Sequence, residues 1–323
     1  MVSWLEKRWY RPDPLIWLLL PLTLLFWLIS ACRRLLFRLA IKRSIRVDAP
    51  VIVVGNISVG GNGKTPMVIR LCQLLKQQGF HPGVVSRGYG GKAPYYPYSV
   101  AVNSDPRVVG DEPVMMRHHL GCPLVVDPDR VRGARYLIDE HKCNIIVCDD
   151  GLQHYRLARD IEILVMDGQR RHGNGYLLPM GPLREGAWRQ KTVDFVVVNG
   201  GVAKAGEHLM SLESGQLVNV KYPSQTQSIS ELRKPAIALA GIGNPERFFK
   251  LLDSRQVRLK QKLVFADHHP FRDGDIPDDL VLMTEKDAVK CRDFARSQWW
   301  YLPVSAKLTE QFKQQLLEKI HGI

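Results

Sequence analysis

Val51 to Pro66 reads VIVVGNISVGGNGKTP, and the fold follows from how that stretch is read. Four β-branched residues, Val51 to Val54, suit a short strand buried on both faces. A glycine-rich turn follows and delivers Lys64 and Thr65 into a helix expected to begin near Pro66. Gly60, Gly61 and Gly63 let the loop, with Ser58, Val59 and Asn62, curl so that its N–H groups point inward, and the helix dipole adds to their positive potential. Such a cradle accepts a polyphosphate, with Lys64 on the β- and γ-phosphates and the Thr65 hydroxyl on a magnesium ion. Counting back from Gly63-Lys64-Thr65, the first glycine of the general G-x-x-x-x-G-K-[ST] pattern is Ser58. The departure is confined to that position.

The chain has 323 residues, enough for two domains each with a core. A formal net charge of +13 is compatible with nucleic acid, anionic lipid or phosphorylated ligands, and the placement of the charge discriminates among them. Six cysteines lie scattered without a C-x-x-C pair, so reduced thiols and no structural metal are expected.

Leu15 to Cys32 is an uncharged apolar run, about 27 Å long as a helix against a hydrocarbon core of about 30 Å. Trp4, Trp9, Tyr10, Trp17 and Trp27 supply interfacial aromatics, and Pro21 would kink the helix. Behind it come Arg33, Arg34, Arg38, Lys42, Arg43 and Arg46. Arg34, Arg38 and Lys42 repeat every four residues beside Leu35, Leu36 and Leu39, which predicts an amphipathic continuation on anionic lipid. The basic flank disfavours a cleaved signal peptide, although Ile29-Ser30-Ala31-Cys32 imitates a lipoprotein cleavage site. A spanning or deeply inserted anchor, with the remaining chain in the cytoplasm, fits best; a buried core helix is the alternative.

Further along, strands are expected at Val84–Ser86, Leu124–Val126, Ile145–Cys148, Ile161–Met166 and Phe195–Val198, with helices between them, the pattern of a parallel α/β sheet. The strand ending at Cys148 is closed by Asp149-Asp150, an arrangement that supplies a magnesium ligand downstream of a phosphate loop. Asp111 opens a helix, where an N-cap role is an alternative to chemistry. The connection Leu178 to Gly186 carries Arg184 and Glu185. A polar stretch at 223–234 reads as a linker, and a second α/β unit begins at Ala236 and contains Asp267-His268-His269-Pro270 and Thr284-Glu285-Lys286-Asp287. The expected organisation is an anchor at 1–46, a phosphate-loop domain at 47–222 and a C-terminal domain at 235–323.

Taken together, GNISVGGNGKTP (55–66), SRGYGG (86–91), GDEP (110–113), DDGLQH (149–154), LLPMGPLREG (177–186), FADHHPF (265–271) and TEKDAVK (284–290) resemble the tetraacyldisaccharide 4'-kinases, the membrane-associated kinases of lipid A assembly. Ser58 is normal in that family's phosphate loop. The resemblance implies a P-loop α/β/α domain and a smaller C-terminal α/β/α domain joined by a short β linker, with the site in the cleft between them. It implies transfer of phosphate from ATP, with Mg2+, to the 4'-hydroxyl of an acylated glucosamine disaccharide 1-phosphate, giving lipid IVA at the cytoplasmic face of the bacterial inner membrane. By motif, Ser58 to Thr65 hold the nucleotide with Glu185 near it, Lys64 is also catalytic, and Thr65, Asp149 and Asp150 form the magnesium site. Asp111 and His268 match the residues of a catalytic dyad. The partners implied are the lipid acceptor and membrane phospholipid, with no nucleic acid and no obligate protein partner.

The residues by themselves also admit a membrane-associated NTPase switch or a nucleotide-binding regulator. The order Thr284-Glu285-Lys286-Asp287 does not match the N-K-x-D element by which GTPase switches read guanine, and a regulator explains neither the aspartate pair nor the His268 segment.

Overall fold

The computed structural model describes residues 4–11 and 13–323, without the side chains of Trp4 and Lys7, so Trp4 as an interfacial aromatic lies outside the described residues. Eight strands follow one another in a first unit: β1 (Val51–Gly55), β2 (Pro82–Ser86), β3 (Tyr98–Ser99), β4 (Leu124–Val126), β5 (Ile145–Asp149), β6 (Ile161–Asp167), β7 (Phe195–Asn199) and β8 (Glu207–Ser214). The chain then builds β9 (Leu217–Asn219), β10 (Thr226–Gln227), β11 (Ala236–Ala240), β12 (Leu259–Val264), β13 (Val281–Thr284) and β14 (Trp299–Leu302), and finally β15 (Val304–Leu308). The first sheet has the order β15-β8-β7-β6-β1-β5-β2-β4-β3, and the second β10-β9-β14-β13-β11-β12.

In the first sheet β8 to β4 run parallel, with antiparallel β15 and β3 at its edges. Its central strand β1 is buried throughout, as the β-branched run requires, because helices cover both faces. One face carries Met67, Val68, Leu71 and Leu75 of the helix Lys64–Gln77, and the other Val131, Ala134 and Leu137 of the helix Arg130–Asp139. The carboxyl ends of β1, β2, β5, β6 and β7 are Gly55, Ser86, Asp149, Asp167 and Asn199. Small and polar residues thus collect at the edge where open α/β sheets place their ligands.

The observed division differs from the expected boundaries at both ends of the second unit. The polar stretch 223–234 is not the connection: β10 lies within it, and it leads through a capped 3-10 turn, Ile229–Glu231, into β11. Crossing takes place instead between β8 and β9 and again between β14 and β15. There Gly215 N–H donates to Pro303 O at 3.0 Å, so the two passages run side by side. β15 and the helix Glu310–His321 belong to the first unit, where Phe312, Leu316 and Ile320 join the core with Phe195. The apolar face of that last helix thus helps to cover the first sheet.

At the N-terminus, a 3-10 segment Pro14–Leu19 leads into the helix Leu20–Arg38. Pro21 sits in the first turn of that helix, where its missing N–H breaks nothing, so the expected kink is replaced by the 3-10 to α transition. The expected amphipathic continuation stops at Arg38, since Ala40 takes a left-handed φ of 56° and Lys42 falls outside the helix.

Candidate active site

Gly63 shows why the phosphate loop needs glycine. Its φ is +93°, and a Cβ there would come within 2.1 Å of Asn199 Nδ2. That amide is engaged, because Asn199 Nδ2 donates to Asn62 O at 3.0 Å and anchors the loop to the end of β7. At the departure from the general pattern, Ser58 Oγ accepts from Asn62 Nδ2 at 3.1 Å, a bond inside the loop that glycine could not make. Val59 N–H donates to Pro182 O at 2.8 Å and Arg184 N–H to Ile57 O at 2.7 Å. The segment Leu178 to Gly186 therefore runs beside the loop and brings Arg184 and Glu185 to the site.

A cleft of about 550 Å³ opens at these strand ends. Ser86, Glu112, Arg130, Asp149, Asp150, Arg184 and Glu185 line one part of it, and Phe26, Ser30, Arg33 and Arg34 of the N-terminal helix line another. The two aspartates lie in opposite electrostatic environments. Asp149 is buried, its Oδ2 accepts from Ser86 Oγ at 3.0 Å, and its Oδ1 has no partner among the described residues. Burial, with Glu112 and Asp150 close by, pushes its carboxyl up to about 7. For Asp150 burial acts the same way, but Lys64 and Arg184 overcome it and hold the carboxyl at about 2. Lys64 Nζ stands 3.5 Å from Asp150, and Arg184 Nη1 contacts both of its oxygens at 3.0 and 3.2 Å.

Glu185, 2% exposed, is fully engaged. Gln153 Nε2 donates to it at 3.0 Å, Tyr155 OH donates to its other oxygen, and Arg189 Nε lies 3.7 Å away. Gln153 and Tyr155 come from the segment after the aspartate pair and carry no motif of their own; Gln153 lies within DDGLQH and Tyr155 directly after it.

Asp111 of the first unit and His268 of the second meet beside the cleft. Asp111 is the first residue of the helix Asp111–His119, but the N-cap is Gly110 and not Asp111; its carboxylate meets His268 instead, with Nδ1 3.0 Å from each of its oxygens. Burial raises the Asp111 carboxyl, yet the bond from His268 together with Lys286 and Lys290 brings it below the usual carboxylate range. The Tyr89 ring covers His268 at 5.0 Å between centroids, giving the loop after β2 a place at the site. The dyad and the phosphate loop each flank the cleft through a residue of its lining: Asp111 adjoins Glu112, His268 packs on Tyr89, and Lys64 of the phosphate loop lies 3.5 Å from Asp150.

The second unit reaches the loop at a further point. The turn Gly241 to Pro245 sits on it so closely that a Cβ on Gly243 would come 2.7 Å from Gly61 N. Arg170 Nη1 donates to Gly243 O at 2.8 Å, Asn244 Nδ2 to Asp167 at 3.2 Å and Arg247 Nη2 to Asn199 O at 2.7 Å. The Thr284 segment supports this turn from behind. Thr284 caps the helix Glu285–Cys291, and buried Asp287 accepts from Gly241 N at 2.9 Å. In the sequence this turn is only Gly241-Ile242-Gly243-Asn244-Pro245, and nothing local to it marks the contact with the phosphate loop.

A hard divalent ion suits the donors present: an orphaned, buried carboxylate oxygen on Asp149, a second carboxylate, and a hydroxyl at Thr65. No group of three His, Cys, Asp or Glu side chains among the described residues forms a preassembled metal cage.

Comparisons with known proteins place the chain in a family. The family model for tetraacyldisaccharide-1-P 4'-kinase matches residues 15–321. A tetraacyldisaccharide 4'-kinase of Pseudoalteromonas atlantica is 59% identical over 94% of this chain and 100% of its own. One of Shewanella amazonensis is 49% identical over 99% of this chain and 96% of its own. Among solved structures, the crystal structure of the "apo" form of LpxK from Aquifex aeolicus in complex with ATP superposes with a TM-score of 0.77 at 26% identity, covering 95% of this chain and 99% of that one. With a family match over nearly the whole chain and relatives at such identity, this chain belongs to the tetraacyldisaccharide-1-P 4'-kinase family.

Proposed function

We propose that this chain transfers the γ-phosphate of ATP to the 4'-hydroxyl of a tetraacyldisaccharide 1-phosphate, forming lipid IVA at the cytoplasmic face of the bacterial inner membrane. The observation that carries the reading is the cleft itself. Its walls combine phosphoryl-transfer residues, Asp149, Asp150, Arg184 and Glu185, with Phe26, Ser30, Arg33 and Arg34 of an apolar helix. A lipid acceptor needs both.

In this reading the loop from Ser58 to Thr65 cradles the phosphates through its N–H groups, and Lys64 leaves its contact with Asp150 to follow the γ-phosphate. Arg184 keeps Asp150 ionised and in place. Thr65, Asp149 and Asp150 would hold magnesium, which when bound supplies positive charge to the phosphate oxygens. Asp111 takes the proton of the 4'-hydroxyl as its oxygen bonds to the γ-phosphorus and the bond to the β-γ bridging oxygen breaks, releasing ADP. His268 donates to Asp111 and orients it.

The position of the helix supports an attitude lying along the membrane surface rather than across it. Pro14–Arg38 is long and apolar enough to cross a membrane. Yet it touches the body along its length. Ile16 is buried, Thr23 Oγ1 accepts from Met180 N at 3.1 Å, Arg33 reaches Gln153 O and Phe37 meets Tyr155 at 5.7 Å. Crossing the bilayer would draw that polar body in with it, at a cost apolar contact cannot offset. The opposite side exposes Leu18, Leu22, Leu25 and Ile29 at helical spacing, an apolar face for lipid.

Incubation with γ-labelled ATP and tetraacyldisaccharide 1-phosphate in phospholipid vesicles tests the function. Label in a product with one more phosphate is expected. Release of free phosphate without labelled lipid would leave a nucleotide hydrolase instead.

A further inference from the structure

Lys286 sits in the helix Glu285–Cys291 with its side chain 12% exposed. Its three ammonium protons meet three acceptors: Glu112 Oε1 at 2.9 Å, Asp267 Oδ1 at 2.9 Å and His268 Nε2 at 3.3 Å. Burial disfavours the charge, but Glu112, Asp111 and Asp267 raise the ammonium's pKa well above that of a free lysine.

This arrangement dictates the state of the imidazole. An ammonium only donates, so the ring nitrogen facing it must offer a lone pair. An N–H on Nε2 would oppose donor to donor, and an imidazolium would hold two cations 3.3 Å apart. On the other edge, Nδ1 faces both oxygens of Asp111 at 3.0 Å, and an ionised carboxylate only accepts. Both edges require the same species, a neutral ring protonated on Nδ1. Asp267 lies 3.8 Å from Nε2, beyond hydrogen-bond reach, and its nearer partner is Lys286 itself.

We propose that Lys286 is a positioning residue that fixes His268 as the Nδ1–H tautomer and so aims the imidazole proton at Asp111. The catalytic half of this inference rests on Asp111 and His268 being the reactive pair. Without the ammonium the ring is free to carry its proton on Nε2, which turns a lone pair toward the carboxylate and removes the bond that orients it. Lys286 comes from the second unit and Glu112 from the first, so the same contact ties the tautomer to the meeting of the two.

The test uses full-length protein labelled with [15N]histidine in phospholipid nanodiscs at pH 8, with His268 assigned by difference against His268→Asn. Two-bond proton–nitrogen correlations are expected to show a protonated Nδ1 and an unprotonated Nε2. Lys286→Met should shift or average these signals and lower kcat on the order of 10²-fold, as loss of a group that orients a catalytic histidine does, with KM for ATP within about twofold. An Nε2–H or doubly protonated ring in the unsubstituted protein overturns the proposal without any variant. An unchanged His268 spectrum in a folded Lys286→Met protein also overturns it. A changed spectrum with unchanged kcat upholds the tautomer lock and overturns the dyad reading.

Discussion

His268 Nδ1 stands 3.0 Å from both carboxylate oxygens of Asp111, although 157 residues separate the two in the chain. Asp111 belongs to the first unit and His268 to the second, so the pair exists only where the units meet. If they act together, removing either removes the same function. Asp111→Asn and His268→Asn are each expected to lower kcat on the order of 10²-fold or more with little change in KM for ATP. The double variant should be no more than a few-fold worse than the poorer single. Steady-state kinetics of the three proteins decide the matter, and fully multiplicative losses would separate the residues.

Lys64→Ala and Thr65→Ala address the other side of the reaction. Phosphoryl transfer depends on positioning and charge, so each is expected to reduce turnover at least about 10²-fold. Lys64→Ala carries a further expectation, because Asp150 then loses one of the two cations that hold its carboxyl at about 2. Arg184 remains, and the fold should be intact by circular dichroism. Near-normal activity in either variant would remove the loop from the mechanism.

These two groups differ in how readily the sequence displays them. The loop from Ser58 to Thr65 and the pair Asp149-Asp150 are contiguous, so order and spacing alone bring them forward as candidates. Six of the seven parallel strands of the first sheet were equally visible, since Val51–Val54 and its counterparts are short, apolar and buried on both faces; the seventh, β8, escaped because Glu207–Ser214 is polar and mostly half-exposed. What stayed hidden depends on contacts between distant segments. Nothing local indicates that Val304–Leu308 pairs with β8 or that Phe312 packs on Phe195. Lys286 owes its role to three acceptors from two separate segments, and hydropathy measures the length of the N-terminal helix without showing that one side of it is covered.

The fit of Gly243 against the phosphate loop gives a prediction that no motif contains. A methyl group at this position would come 2.7 Å from Gly61 N and 3.1 Å from Gly60 Cα, so backbone must move. Overpacking of this kind costs about 1–3 kcal/mol, and here it falls on the loop that holds the nucleotide. Gly243→Ala is expected to raise KM for ATP by about tenfold while KM for the lipid changes little. An unchanged nucleotide KM would mean that the turn gives way without disturbing the loop.

A second contact between the units responds to pH. His119 Nε2 meets Glu285 Oε1 at 2.6 Å, and this bond raises the histidine's pKa against the effect of burial. Because the folded-state value lies above the unfolded one, the pair's stabilisation is complete below about pH 6.5 and is lost as pH rises through the raised value. The His119 side chain is about a third exposed, so solvent screening limits the contribution to under about 1 kcal/mol. Thermal unfolding of the protein and of Glu285→Gln, each at pH 6 and pH 8.5, should show a larger difference between them at pH 6. A difference independent of pH would remove the ion pair from the interface energetics.

The attitude of the N-terminal helix yields the last prediction. Thr23 bonds to Met180 and Phe37 packs on Tyr155, so the helix is held against the body over most of its length. Its outward leucines would then enter lipid sideways, each fully buried side chain contributing about 1.5–3 kcal/mol. Replacing Leu18, Leu22, Leu25 and Ile29 together by Ser should abolish flotation with phospholipid vesicles while leaving ATP binding intact. Arg33 and Arg34 sit on the same helix and line the cleft, so displacement from the surface should also raise the apparent KM for the lipid far more than that for ATP. In sealed inside-out membrane vesicles, tags at the two ends of the chain should both be digested by external protease, because a helix lying on the surface leaves both on one side. A protected N-terminal tag beside a digested C-terminal one would show that the helix detaches from the body and spans the bilayer.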